Sequence, residues 1–134
     1  MTRTPCALLA LAAGMVACSP GDCPPPPATV LGAWTYSATQ TAPSMATLGG
    51  ILTLQPGCPG FQGILDGTQN DGVGLATPVH VVVTGQMLGT TSVDFDASGR
   101  RHLGTITNDS MRGTWFEQAS GGNGSFLAVK DLTP

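Results

Sequence analysis

The sequence predicts an all-β domain, a small eight-stranded antiparallel up-and-down barrel, with a two-sheet β-sandwich as the alternative arrangement. Three observations point there. From position 30 onward the chain divides into runs of about 6–9 residues separated by short turn signals, the rhythm of a meander. Glycine (19) and proline (11) recur at short intervals while charged residues make up only 10% of the chain, and both punctuators break helices. Finally, an element of glycine, any residue, then a large apolar residue recurs. It occurs as Gly32-Ala33-Trp34, Gly49-Gly50-Ile51, Gly104-Thr105-Ile106, Gly113-Thr114-Trp115 and Gly124-Ser125-Phe126. Glycine two positions before a ring shares its strand face, and leaves room for a neighbouring ring where a small barrel bends sharply.

Strands are expected at Leu31–Thr39, Thr47–Gln55, Gly60–Asp66, Pro78–Gln86, Thr91–Asp96, Arg101–Thr107, Met111–Glu117 and Ser125–Lys130. Asn108-Asp109 forms a two-residue hairpin connection whose members tolerate positive φ. Asp96-Ala97-Ser98-Gly99 places glycine where a hairpin loop needs the left-handed conformation, and Gly121-Gly122-Asn123-Gly124 is short and flexible. The longest loop is Gly67–Thr77. Alternation puts Val79, Val81 and Val83 on one face of the fourth strand and His80, Val82 and Thr84 on the other. Eight strands enclose an interior wide enough for packed side chains or one small ligand, and closure removes exposed strand edges.

The first 17 residues read as an address. Arg3 supplies a positive end, and Ala7 to Ala17 is an apolar run too short to span a bilayer but suited to a signal peptide. Met15-Val16-Ala17-Cys18 resembles the bacterial lipobox, with Met15 where that motif usually has leucine. The resemblance implies cleavage before Cys18, its modification by palmitate-type acyl chains, and a stable membrane anchor. Ser19 follows where an inner-membrane-retained lipoprotein would carry aspartate, so the likeness favours the outer membrane of a Gram-negative cell. The alternative is ordinary signal cleavage after Ala12 or Ala17. Residues 18–29 then form the lipidated cysteine and a spacer whose four consecutive prolines favour an extended rod, and residues 30–134 form the barrel domain.

Cys6 leaves with the signal and Cys18 carries lipid, so Cys23 and Cys58 remain to pair in an oxidising compartment. A zinc-type Cys/His spacing is missing, and no cofactor is implied. Loss of Arg3 with the signal takes the formal charge from −3 to −4. Nucleic acid, which needs a clustered basic face, is therefore excluded as a partner, and the one basic pair, Arg100-Arg101, reads as a solvated turn.

Leu31-Gly32-Ala33-Trp34-Thr35-Tyr36 resembles the opening Gly-x-Trp strand of the lipocalin and avidin-like (calycin) barrels. That resemblance implies that Trp34 closes one end of the barrel beneath a basic side chain from the last strand, here Lys130 in place of the usual arginine. It further implies a cavity that could take a small apolar ligand or lipid, lined by Tyr36, Val81, Val83, Phe95, Ile106, Trp115 and Phe126. Small bacterial envelope lipoproteins with such barrels also include inhibitors of metalloproteases and of lysozyme. The other reading is accordingly a protein-interaction module with a filled interior and an envelope-protein partner.

Catalytic equipment is thin, and the chain is not expected to be an enzyme. His80 and His102 lack a third ligand or base at a recognisable spacing and read as strand histidines on a partly exposed face. Asp94 and Asp96 share a strand face and read as solvent-facing residues entering a turn. No Gly-x-Ser-x-Gly elbow is present, and Gly121–Gly124 lacks the strand-to-helix setting of a phosphate cradle.

Overall fold

The structure is a computed structural model that describes residues 25–58 and 60–132. The leader at 1–17, Cys18 and Cys23 lie outside the described residues. The strands are β1 (Gly32–Ala42), β2 (Ala46–Pro56), β3 (Phe61–Asn70), β4 (Ala76–Leu88), β5 (Ser92–Ala97), β6 (Arg100–Thr107), β7 (Ser110–Glu117) and β8 (Gly122–Lys130). Each pairs antiparallel with the next, and β8 returns to β1, so one sheet closes on itself as an up-and-down barrel; the sandwich does not form.

Side-chain alternation decides what is inside. Along β1, Trp34, Tyr36 and Ala38 are buried while Thr35, Ser37 and Thr39 are exposed or half-exposed to solvent. The other strands follow the same rule, and a single core joins all eight. Apolar and aromatic side chains point inward while hydroxyl, amide and charged groups dominate outside, the reverse of a membrane-spanning barrel.

The strands run longer than sequence reading predicted, most clearly around Gly67. That glycine was expected to begin a long loop, yet β3 continues to Asn70 and the loop shrinks to 71–75. Gly67 stands opposite Gly50, and a Cβ on either would strike the backbone of the other strand. Glycine here permits close strand approach; it does not mark a turn. The turn is made instead by Asp71, whose Oδ1 accepts the N–H groups of Val73 (2.9 Å) and Leu75 (3.2 Å).

Three of the Gly-x-apolar elements, those at Gly104, Gly113 and Gly124, stand where a Cβ would strike a neighbouring strand, whereas Gly32 has room for one. Gly104 and Gly113 face each other across β6 and β7, and a Cβ on Gly104 would lie 2.8 Å from Cζ of Phe126. The missing Gly104 side chain leaves the space into which the Phe126 ring packs, and the missing Gly113 side chain lets the two strands approach. The Gly49-Gly50-Ile51 copy differs: Gly50 faces inward and Ile51 outward, 43% exposed.

The meander gives the barrel two poles. Loops 57–60, 89–91 and 108–109 lie at the pole where the chain enters, and loops 43–45, 71–75, 98–99 and 118–121 lie at the other. A short 3-10 turn, Ala28–Val30, precedes β1 at the entry pole and buries Val30 completely. The last residues expected to be spacer are thus part of the barrel's closure.

Candidate functional site

At the entry pole, Trp34 is fully buried and donates from Nε1 to the carbonyl of Val30 at 3.0 Å. Lys130, its register partner in β8, places Nζ 5.2 Å from the indole centroid. The same ammonium donates to the carbonyls of Thr29 (2.9 Å) and Ala28 (3.3 Å), tying the 3-10 turn over the ring. An ammonium over an indole is attracted by the ring quadrupole, and here it also bonds the Thr29 carbonyl and shares the Ala28 carbonyl with the Leu31 N–H. This pole is a plug.

The middle of the barrel is filled with rings. Phe95 stacks on His102 (centroids 4.4 Å apart, planes 12° from parallel), and Phe126 meets His102 edge-on at 5.0 Å. Tyr36 lies 6.0 Å from Phe126, and Phe61 6.3 Å from Phe95. Within this cluster Tyr36 Oη and His102 Nε2 are 2.7 Å apart, while His102 Nδ1 lies 2.9 Å from the Arg100 carbonyl. A carbonyl only accepts, so Nδ1 carries the proton and Nε2 accepts the Tyr36 hydroxyl. Both imidazole nitrogens are satisfied without a charge. Burial pushes the His102 pKa down to about 4, slightly opposed by its bond to the Arg100 carbonyl. Burial likewise raises the Tyr36 phenol well above its ordinary range, against a small opposing pull from the Arg100 charge. The pair stays neutral.

His102 therefore corrects the sequence expectation of a partly exposed histidine: it is 1% exposed. Its face was readable from strand period, because His102, Gly104 and Ile106 alternate with Arg101, Leu103 and Thr105. The polarity of histidine hid it. His80, by contrast, does lie outside, 3.6 Å from Asp66 in an exposed pair. Arg100-Arg101 is also more than a solvated turn. Arg101 points out and makes a bidentate pair with Asp94 at 3.1 and 2.8 Å, which holds that carboxyl below its usual range. Asp96 accepts the Gly99 N–H at 3.1 Å in the β5–β6 turn.

At the pole opposite the plug, a cavity of about 180 Å³ opens above the Tyr36–His102 pair. Its walls are Leu48, Leu65, Val79, Val81 and Ala97, and its polar members besides the pair are Gln69, Ser98, Arg100 and Glu117. The Arg100 guanidinium lies 4.9 Å from the Trp115 ring centroid and donates to Gln69 Oε1 at 3.2 Å. Of the residues expected to line a cavity, Tyr36 and Val81 do so here. Val83, Phe95, Ile106 and Phe126 instead pack against one another and their neighbours in the core. Trp115 is buried beneath Arg100, its Nε1 donating to the Thr39 carbonyl at 3.2 Å. Phe95 and Phe126, two rings expected to line a cavity, instead help to fill the middle of the barrel.

A broader trough of about 850 Å³ runs along the outer wall, bordered by β1, β2, β7 and β8 hydroxyls and Arg112. It is open, and two of its hydroxyls, Thr39 Oγ1 and Ser125 Oγ, bond each other at 3.1 Å. Fold and site together define a small closed β-barrel with a buried aromatic cluster, one plugged pole and one shallow, polar-rimmed mouth. No protein-family model matches the chain, and no curated protein matches it.

Proposed function

We propose that this protein is a lipid-anchored recognition module of the cell envelope that binds a partner protein through the open pole of a filled barrel. The observation that carries the reading is the occupancy of the interior. Tyr36, Phe61, Phe95, His102 and Phe126 take up the space a carrier would keep for cargo. What remains, about 180 Å³, falls below the roughly 300–1,000 Å³ of small-molecule sites.

The mouth has the features of a contact surface. Met45, Val73 and Leu75 expose 64%, 86% and 62% of their surface on two of its loops. The loops adjoin, since the Met45 carbonyl is the group nearest the position a Gly72 Cβ would take. Clustered apolar tips beside polar groups mark interaction sites more often than isolated ones do. Anchoring supports the same orientation. A lipid on Cys18, followed by the proline spacer, would lead into the plugged pole and leave the mouth facing away from the membrane. Cys58 sits in the β2–β3 loop at that pole and is not free, which supports a Cys23–Cys58 bond clamping the spacer there.

The test has two arms. Native mass spectrometry of the purified protein, with titration of an apolar fluorescent dye, is expected to find no bound ligand and no fluorescence rise. Photo-crosslinking residues placed at Val73 and, as a wall control, at Thr53 in lipidated protein in its own cells are expected to give a discrete adduct at Val73 only. A lipid retained inside the barrel would overturn the reading. Secreted metalloproteases and lysozymes are the first partners to assay for inhibition.

A further inference from the structure

The mouth cavity has a chemical character more specific than that of a general contact surface. Its walls are aliphatic, and its floor is the Tyr36–His102 pair, whose donors are already spent on each other and on the Arg100 carbonyl. A ligand group reaching the floor therefore meets little beyond one lone pair on the phenol. At about 30 Å³ per water, the cavity displaces about six waters, enough for one branched or aromatic side chain and no more.

Beside this apolar socket stands a guanidinium that makes no ion pair among the described residues. The ion pairs among the described residues join His80 to Asp66 and Arg101 to Asp94; Arg100 is in neither. Its cross-strand partner Glu117 does not close on it, and accepts instead from Ser120 Oγ at 2.6 Å. Arg100 spends one N–H on Gln69 and lays its plane near Trp115, which fixes the group without neutralising it. A held guanidinium with N–H groups to spare is the preferred receptor for a carboxylate, which it takes with two parallel hydrogen bonds. Glu117, lining the same cavity, makes the mouth dipolar: it repels a carboxylate that Arg100 attracts, and so sets the direction in which a chain can enter.

An apolar side chain and a carboxylate within a few ångströms of each other describe the last residue of a polypeptide. We propose that the mouth captures the C-terminus of the partner protein, its final apolar side chain in the socket and its α-carboxylate on Arg100. This rests on the reading of the open pole as a protein-recognition surface, and gives that surface its ligand class.

The test uses short peptides on the full chain, followed by backbone amide NMR shifts at Leu48, Val79 and Val81 and by calorimetry. Acetyl-Ala-Ala-Leu with a free carboxylate is expected to bind at least ten-fold more tightly than its C-terminal amide. Acetyl-Ala-Ala-Gly, which keeps the carboxylate but has no side chain, should fall by a similar factor. Arg100→Met should abolish the preference for acid over amide while both peptides still shift the Leu48, Val79 and Val81 amides, a result that unfolding could not mimic. Equal binding of acid and amide would overturn the proposal. So would binding of free leucine as tight as that of the peptide, which would assign the socket to an amino acid. If the peptides fail while Val73 still crosslinks to a partner, this inference falls and the recognition reading stands. If a lipid fills the barrel, the recognition reading falls first.

Discussion

His102 offers a direct test of the buried polar pair. Its imidazole is neutral in the fold, with a pKa near 4 against 6.5 in the unfolded chain. Folding thus favours the deprotonated form. The stabilisation is fully present above pH 6.5 and is lost as pH falls from there through 4. Linkage over that interval predicts a loss of about 2 kcal/mol between pH 7.5 and pH 5. The assay is urea unfolding followed by tryptophan fluorescence at both pH values, for the native protein and for His102→Gln. The variant is expected to start less stable, because it disturbs the Tyr36 hydroxyl, but to lose far less on acidification. Asp94 adds nothing in this window: its carboxyl is held below the ordinary range by Arg101, so its contribution persists above pH 4 and disappears only below. Parallel slopes for the native protein and His102→Gln would refute the reasoning, as would a folded-state NMR titration of the assigned His102 imidazole near pH 6.5.

Phe126→Ala should cost about 3–5 kcal/mol in the same urea assay, since the ring contacts Tyr36, Phe95 and His102 and leaves a cavity that the curved sheet cannot fill. Gly113→Ala drives a methyl into the Leu103 carbonyl and the Gly104 Cα and should cost about 3 kcal/mol, with a fall in melting temperature as a second readout. Lys130→Met keeps the aliphatic stem but removes the charge over Trp34 and two hydrogen bonds; about 1–2 kcal/mol and a red shift of the Trp34 emission are expected. Non-reducing peptide mapping should find Cys23 joined to Cys58 and acyl chains on Cys18, and reduction should lower stability by roughly 3–4 kcal/mol. A free Cys23 would remove that clamp from the scheme.

Strand count, order and closure were legible because they follow from local chemistry. Period-two alternation set the faces of β4, and turn residues such as Asn108, with φ of 56°, marked the hairpins. Glycine was read less well because it carries two meanings. Gly67 looks like the start of a loop in sequence and proves to be a point of close approach once Gly50 stands opposite it. The Tyr36–His102 pair was invisible for a different reason. Its members come from β1 and β6, strands that are not neighbours, and meet across the lumen 66 positions apart. No local pattern encodes a contact across the lumen. Arg100 was hidden by its neighbour: two adjacent arginines suggest one solvated patch, yet alternation sends Arg101 to Asp94 and Arg100 to the mouth.

The return of β8 to β1 has a consequence for how the chain folds. Every other strand finds its partner a few residues away, but Trp34 must wait for Lys130, and Ala38 for Phe126. Until the last strand arrives, one side of β1 is an unpaired ladder of N–H and C=O groups beside an uncovered indole, a template for pairing with another copy. Loop-closure entropy makes this final join the slow one. The seam is therefore where the folding chain is most exposed to its own copies, and variants there should aggregate during refolding before they weaken the finished barrel.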